Sequence, residues 1–373
     1  MKQKYLLKNF DFKLVLMLIA ITVIGILAIG SAKASVQQSQ IIGMILGVFL
    51  MIVIAFFDYG IVLKFYWVIY AINLALLIFV QLFGESANNS QRWVEIFGIR
   101  FQPSESAKIL LILFYAQFIM KHKDNLNSLS TLFKIVFFLI PPLLLVYKQP
   151  DLSTSIMIAI IFCVILYVGG LSHKIIAGVL VVMIPIAIIF LFIVLQPEQT
   201  LIEDYQQERI LAWLQPDKYS LTTAYQQQNS ITAIGSGQLW GKGLNNNEVG
   251  SVKNGNYISE PQTDFIFAII GEEMGFVGSC CVILLLMLIS AECFYLSMRA
   301  KNIAGSIICS GMGALVCFQS FINISVATGI LPNTGIPLPF VSYGRTSLVS
   351  LFIGMGFVLN VGLQRPRNRK NNI

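Results

Sequence analysis

The chain is 373 residues long, 56% hydrophobic and only 12% charged, with a mean hydropathy of +0.77. Such a composition excludes an ordinary soluble domain and fits an all-α polytopic membrane protein. The net charge of +7 comes from basic residues placed in short connections, so it reads as a topology signal and an attraction to anionic lipid, not as nucleic-acid binding.

A span needs about 20 apolar residues, and ten stretches qualify: 13–32, 40–57, 62–83, 104–120, 132–147, 151–169, 173–195, 263–297, 302–330 and 339–363. The first could pass for a secretory signal, because lysines precede it and Ala32-Lys33-Ala34 resembles a cleavage site. Its length, and a second span following within ten residues, predict an uncleaved first span. Pro141-Pro142 predict a kink in the fifth. The six cysteines all fall inside spans without metal-like spacing and read as small buried hydrophobes, while His122 and His173 sit in short charged loops.

Ten spans put both termini on one side. That side carries Lys2, Lys4, Lys8, Lys13, Lys64, Lys121, Lys123, Lys134, Lys174, Arg299, Lys301, Arg365, Arg367, Arg369 and Lys370, which is 15 of the 25 basic residues. Both ends are therefore expected in the cytoplasm. The chain is expected to form a single integral-membrane domain over 1–373, with a long extracytoplasmic loop at about 196–262 between the seventh and eighth spans. Tyr205, Trp213, Tyr219, Tyr225 and Trp240 in that loop argue against plain disorder and predict interfacial packing.

Residues with chemistry concentrate on the outer side. Between spans three and four, Asn88–Lys108 carries Arg92, Trp93, Glu95, Arg100, Glu105 and Lys108. Its plain reading is an interfacial anchor with Glu105 paired to Lys108 three residues on; its functional reading has Arg92 and Lys108 receive an anionic headgroup. KQPDLST (Lys148–Thr154) offers Lys148 and Asp151, read first as mutual neutralisation and a helix cap. The long loop adds Glu208 and Arg209, then AIGSGQLWGKG (Ala233–Gly243), whose spacing is wrong for a phosphate loop; its glycines are expected to bring backbone close to a ligand or the membrane.

Ser259–Gly278 places Asp264 at the opening of a long apolar helix. Ser259 and Gln262 have capping-box spacing and Pro261 suits a first turn, so Asp264 is expected near the positive helix end. Gly271, Gly275 and Gly278 fall within about 40° of Asp264 on a helical wheel, a stripe suited to close helix contact. In Asn323–Ser347, prolines and glycines forbid a continuous helix, so irregular backbone at membrane depth should line a groove, with Arg345 a charge in need of an anionic partner.

RWVEIFGIRFQPSESAK, KQPDLST, AIGSGQLWGKG, EPQTDFIFAIIGEEMG and GILPNTGIPLPFVSYG, in this order over nearly the whole length, resemble the SEDS family (shape, elongation, division and sporulation), the RodA and FtsW type. The resemblance implies a ten-span bacterial inner-membrane peptidoglycan glycosyltransferase that polymerises lipid II. Asp264 matches the family's essential aspartate, and Trp93 sits in a motif the family needs for activity. Where the family usually has SYGGSS, Arg345 and Thr346 stand here, and Ser153 replaces a common glycine in KQPDLST. KQPD and the short terminal segments incline the resemblance to the elongation type.

A lipid-diphosphate sugar is already activated, so one base suffices: Asp264 is expected to deprotonate the acceptor GlcNAc 4-hydroxyl. Arg92, Lys108, Arg209 and a divalent cation (magnesium or manganese) are candidates to neutralise the leaving diphosphate. Other classes are a lipid II flippase, a division- or sporulation-type polymerase, or a scaffold. The implied partners are lipid II and nascent glycan, a class B penicillin-binding protein transpeptidase, and other elongation-complex membrane proteins.

Overall fold

The computed structural model describes residues 9–87, 90–96, 99–196, 199, 202–219, 224–245, 251, 255 and 257–364. Lys2, Lys4, Lys8 and the basic tail from Arg365, which belong to the charge argument above, lie outside the described residues, as does part of the long loop.

Among the described residues thirteen α-helices follow one another: α1 (Phe12–Ala32), α2 (Ala34–Ala55), α3 (Tyr59–Lys64), α4 (Tyr66–Phe83), α5 (Pro103–Lys121), α6 (Leu129–Lys148), α7 (Leu152–Val168), α8 (His173–Val194), α9 (Asp204–Leu214), α10 (Tyr225–Ser236), α11 (Ile266–Met298), α12 (Ile303–Ala327) and α13 (Arg345–Leu363). Seven of them, α1, α2, α4, α6, α11, α12 and α13, are long and apolar enough to cross a membrane, and α7 is a shorter apolar helix. With α5 and α8 they stand where the ten spans are expected. The chain is a multi-pass membrane protein.

The core lies along α5, α12 and α13. Leu111, Phe114, Tyr115 and Ala116 of α5 and most of α12 and α13 are buried, whereas α2 turns Ile45 and Phe49 outward, 62% and 61% exposed, as a lipid-facing surface would. Gly43, Gly47 and Gly356 let α2 and α13 close on one another: a methyl at Gly47 would press on the Phe352 ring and one at Gly356 on the Met51 carbonyl.

Three expectations need correction. The segment between α4 and α5 is not merely a loop but a small antiparallel sheet, β1 (Glu85–Ala87), β2 (Ser90–Ile96) and β3 (Ile99–Phe101), in the order β1-β2-β3. Only Cys293 and Cys309 are buried; Cys163, Cys280, Cys281 and Cys317 sit on exposed helix surfaces. The eighth span is broken at Gly275, where φ is 66° and ψ −162°.

The break at Gly275 is filled by AIGSGQLWGKG. α10 ends at Ser236, and the turn after it lies against α11 with its backbone supplying the interrupted hydrogen bonds. Phe276 N donates to Gln238 O at 2.8 Å, and Lys242 N and Gly243 N donate to Glu272 O and Glu273 O, each at 3.0 Å. Side chains would forbid this: a Cβ on Gly237 would overlap the Gly271 carbonyl, and one on Gly241 the Glu273 carbonyl. The glycine stripe is therefore real at Gly271 and Gly275, but it receives a loop backbone and α10 rather than a long partner helix. Lys242 adds a salt bridge to Glu272 at 3.0 Å.

Candidate active site

Asp264 sits one residue ahead of the N-cap of α11, in a turn and not in the helix. The capping box does not form: Ser259 is exposed and bonded by Gln226, and the buried Gln262 gives its carbonyl to Tyr343 N at 2.8 Å. Position is set instead by the irregular segment between α12 and α13. Asn323 Nδ2 donates to the Asp264 carbonyl at 2.8 Å and to Ile336 O at 2.7 Å. Ser342 Oγ donates to Thr263 O at 2.6 Å while accepting from Leu338 N at 2.8 Å. Buried polar groups of α12 and of the connection thus satisfy the non-helical backbone on both sides of the acid, the condition for irregular chain at this depth.

Gly335 faces the carboxylate. Its φ of +70° belongs to the left-handed region, and a Cβ there would lie 3.5 Å from Asp264 Oδ2 and 3.8 Å from Arg209 Nη1. Acid and guanidinium therefore border one small space, kept open by a glycine. Burial pushes the Asp264 carboxyl above its ordinary value; Arg209 opposes this, Glu260 adds to it, and Arg92 and Asp151 act more weakly in opposite senses. Burial also draws Arg209 below its usual value, opposed first by Asp264, but an arginine stays protonated regardless. Asp264 still keeps part of its surface accessible. A carboxylate in this setting is partly dehydrated, faced by a fixed cation that opposes its protonation, and reachable: features that suit a general base.

The other sequence candidates separate by geometry. Arg92 is committed to protein: its guanidinium donates to Gln149 O at 3.2 Å, to Pro150 O, and to Tyr205 Oη at 3.3 Å, with Asp151 Oδ1 3.8 Å away. Asp151 pairs with Arg92, not Lys148, and caps α7 through Thr154 N at 3.0 Å, so the neutralising partner expected from KQPD is replaced. Lys148 is exposed at the end of α6. Tyr205 Oη donates to Pro150 O at 2.7 Å and its ring lies under Arg209, 5.6 Å from centroid to guanidinium carbon. β2, the α6–α7 turn and α9 are thereby tied into one wall that presents Arg209. Ser153 joins it to the connection by donating to Thr334 O at 2.7 Å.

Lys108 and Glu105 form a second, buried cluster. Lys108 Nζ lies 2.8 Å from Glu105 Oε1 and 2.9 Å from Gln319 Oε1, Ser347 Oγ donates to Glu105 Oε2 at 2.9 Å, and Gln319 Nε2 donates to Pro337 O at 2.9 Å. Lys108 is 2% exposed. The plain pairing is what the structure contains, extended into a network binding α5, α12 and α13. Trp93, half-buried in β2, pairs in register with Glu85. Arg345 packs its stem over Gly43 and has no acidic partner among the described residues. Neither do three or more His, Cys, Asp or Glu side chains cluster as metal ligands among the described residues. The acid at the site is flanked by arginine instead, so no protein ligand set for a divalent cation is assigned.

Comparison with known proteins decides the lineage. The family model for the cell cycle proteins FTSW, RODA and SPOVE matches residues 4–367. The chain belongs to this family. Among SEDS relatives it is 34% identical over 370 residues to the peptidoglycan glycosyltransferase MrdB of Escherichia coli K12, covering 97% of this chain and 96% of that one. It is 29% identical over 381 residues to the probable peptidoglycan glycosyltransferase FtsW of Bacillus subtilis 168, covering 96% and 92%. A solved peptidoglycan synthase complex that coordinates polymerization and crosslinking contains a chain of the same fold, with TM-score 0.79, 26% identity, and 95% and 97% coverage. The rod shape determining protein RodA of Thermus thermophilus shares the fold at TM-score 0.70 and 24% identity, over 96% and 98%.

Tyr205, Asn323, Ser342, Gln319 and Gly335 were not singled out by sequence as site residues. The signal for most of them was the Pro/Gly-rich string itself, which requires polar side chains nearby to satisfy its backbone.

Proposed function

We propose that this SEDS protein is a peptidoglycan glycosyltransferase that polymerises lipid II into glycan strands during cell-wall elongation. It acts at the outer face of the bacterial inner membrane, with both termini cytoplasmic. The observation carrying this reading is the half-buried Asp264 carboxylate sharing with Arg209 a space left open by Gly335.

Asp264 accepts the proton of the acceptor GlcNAc 4-hydroxyl as that oxygen attacks the donor MurNAc anomeric carbon. The C1–O4 bond forms, the bond to the diphosphate breaks, and undecaprenyl diphosphate leaves with inversion at carbon. One base is enough because the diphosphate needs no protonation to depart. Arg209, which borders the same space, opposes protonation of Asp264 and lies beside the developing charge. General-base action contributes roughly 10²–10⁴-fold, and electrostatic stabilisation of the leaving group contributes more. Arg92 and Asp151 hold the wall, and Glu105 and Lys108 hold the helices behind the connection. Trp93, on the same sheet as Arg92, keeps that strand at the membrane surface.

The partner of this activity is a class B penicillin-binding protein transpeptidase, within an assembly of other elongation proteins. Supplying the purified protein with lipid II and separating the products tests the reading. Glycan polymer formed by the wild type and abolished by Asp264→Asn is expected; transport without polymer would refute it.

A further inference from the structure

At the end of the bundle opposite Asp264, α4, α5 and α6 do not close on one another. A cleft of about 520 Å³ opens between them, floored by Tyr66 and Trp67 of α4 and Phe118 of α5, with three phenylalanines of α6 along its far wall. Its aromatic lining is built, not incidental. Trp67 meets Phe138 edge-on at 5.0 Å and Phe118 at 6.3 Å, and Tyr66 stacks on Phe114 at 5.9 Å, whereas Phe133 and Phe137 remain 73% and 54% exposed.

The mouth is cationic. Lys134 lines the cleft, is exposed, and has no acidic partner among the described residues. Lys121 Nζ stands 4.6 Å over the Tyr66 ring. His122 lies on Phe118 with ring centroids 4.5 Å apart and spends Nδ1 on the Phe118 carbonyl at 2.8 Å, leaving Nε2 for another group. Lys123 adds a further charge, and Asp124 is the one acid in the connection from Lys121 to Lys134.

We propose that this cleft is a binding site for an anionic phospholipid of the cytoplasmic leaflet. The phosphate sits between Lys121, Lys134 and His122, and the upper acyl chain lies along the aromatic floor. Charge complementarity chooses the head group, since lysines at a membrane surface attract anionic lipid. The combination of an apolar body with a wet end chooses an amphiphile, because aromatic residues at this depth seat one end dry and the other hydrated. The leaflet follows from the orientation proposed above; the site does not depend on the catalytic assignment.

Native mass spectrometry of the purified full-length chain, titrated with phosphatidylglycerol or with phosphatidylcholine of the same acyl chains, tests this. Phosphatidylglycerol should be retained in preference. Lys121→Gln with Lys134→Gln should weaken that binding about thirtyfold, and Lys121→Arg with Lys134→Arg should keep it. Both lysines are exposed, so a thermal unfolding midpoint close to wild type is expected for the double variant. Equal retention of the two lipids by the wild type, or undiminished phosphatidylglycerol binding by the glutamine variant, overturns the site. So does equal competition by glycerol phosphate without acyl chains, because the aromatic floor would then contribute nothing.

Discussion

Replacing Asp264 by asparagine separates the chemical role of the acid from its structural one. The amide is nearly isosteric, and the backbone is held independently by Asn323 on the Asp264 carbonyl and Ser342 on the Thr263 carbonyl, at 2.8 and 2.6 Å. The turn should therefore survive. Loss of the base should lower kcat for lipid II polymerisation by roughly 10²–10⁴, about 3–5 kcal/mol of barrier, with a smaller change in KM. Stability should move the other way. Burial raises the carboxyl above its unfolded value, so the folded state binds the proton more tightly than the unfolded state. Stability from this group is then fully present below the unfolded value and falls as pH rises toward the folded one. At neutral pH the variant, with no charge to bury, should unfold at a higher temperature than the wild type, and the gap should narrow as pH falls. Gel-resolved polymerisation and thermal unfolding in one detergent measure both. A variant that polymerises within tenfold of wild type would refute the base assignment, and one that is inactive but destabilised would make Asp264 a structural residue.

Wild-type activity should decline on the acid side as Asp264 protonates, and Arg209→Gln should move that limb to higher pH, because the opposing cation is gone; a pH–rate profile checks the direction. Gly335→Ala places a methyl 3.5 Å from Asp264 Oδ2 at a φ of +70°, so it should cost about 1–3 kcal/mol in backbone strain and reduce polymerisation beyond what its unfolding midpoint explains. Lys108→Met leaves Glu105 buried and unpaired and should destabilise by about 3–5 kcal/mol; a raised KM with an unchanged midpoint would instead give Lys108 to the substrate. Arg345→Gln, at a cation with no acidic partner among the described residues, should leave stability within about 0.5 kcal/mol and raise KM for the lipid diphosphate, read from initial rates.

The ten apolar stretches were legible because a bilayer demands length and hydropathy, both properties of the sequence alone. Irregular chain between α12 and α13 was legible for a similar reason: prolines and glycines cannot be reconciled with a helix. Where α11 begins was not. Ser259 and Gln262 have the local spacing of a cap, but the distant Gln226 and Tyr343 compete for them, and tertiary bonds won. Gly275 shows the same limit, since a glycine on a helical wheel looks alike whether it touches a helix or breaks one. Arg92, Lys108 and Arg209 were equal candidates as sequence because pairing is a long-range fact: Arg92 finds its acceptors some 57 and 58 residues away, and Lys108 finds Gln319 at a separation of 211. Among the described residues, Arg209 is the cation left bordering the acid.

The arrangement resolves a conflict between dryness and access. A base embedded in the middle of a continuous helix would have its backbone satisfied but no opening, and one on a free loop would be wet. Here the acid stands on the last residues before a membrane helix, while the neighbouring connection is held open by Gly335 and closed behind by Asn323, Ser342 and Gln319. The Gly275 break extends the same logic down α11, because the turn after α10 can dock only where the helix surrenders its own hydrogen bonds. α10 in turn covers the end of α12, with Gln227 Nε2 on Val326 O and Leu331 O at 2.8 and 2.7 Å and Ser230 Oγ on Ala327 O at 2.8 Å. α10 and the turn after it are thus bonded to both helices that flank the Asp264 turn, to α11 through the kink and to α12 through its end.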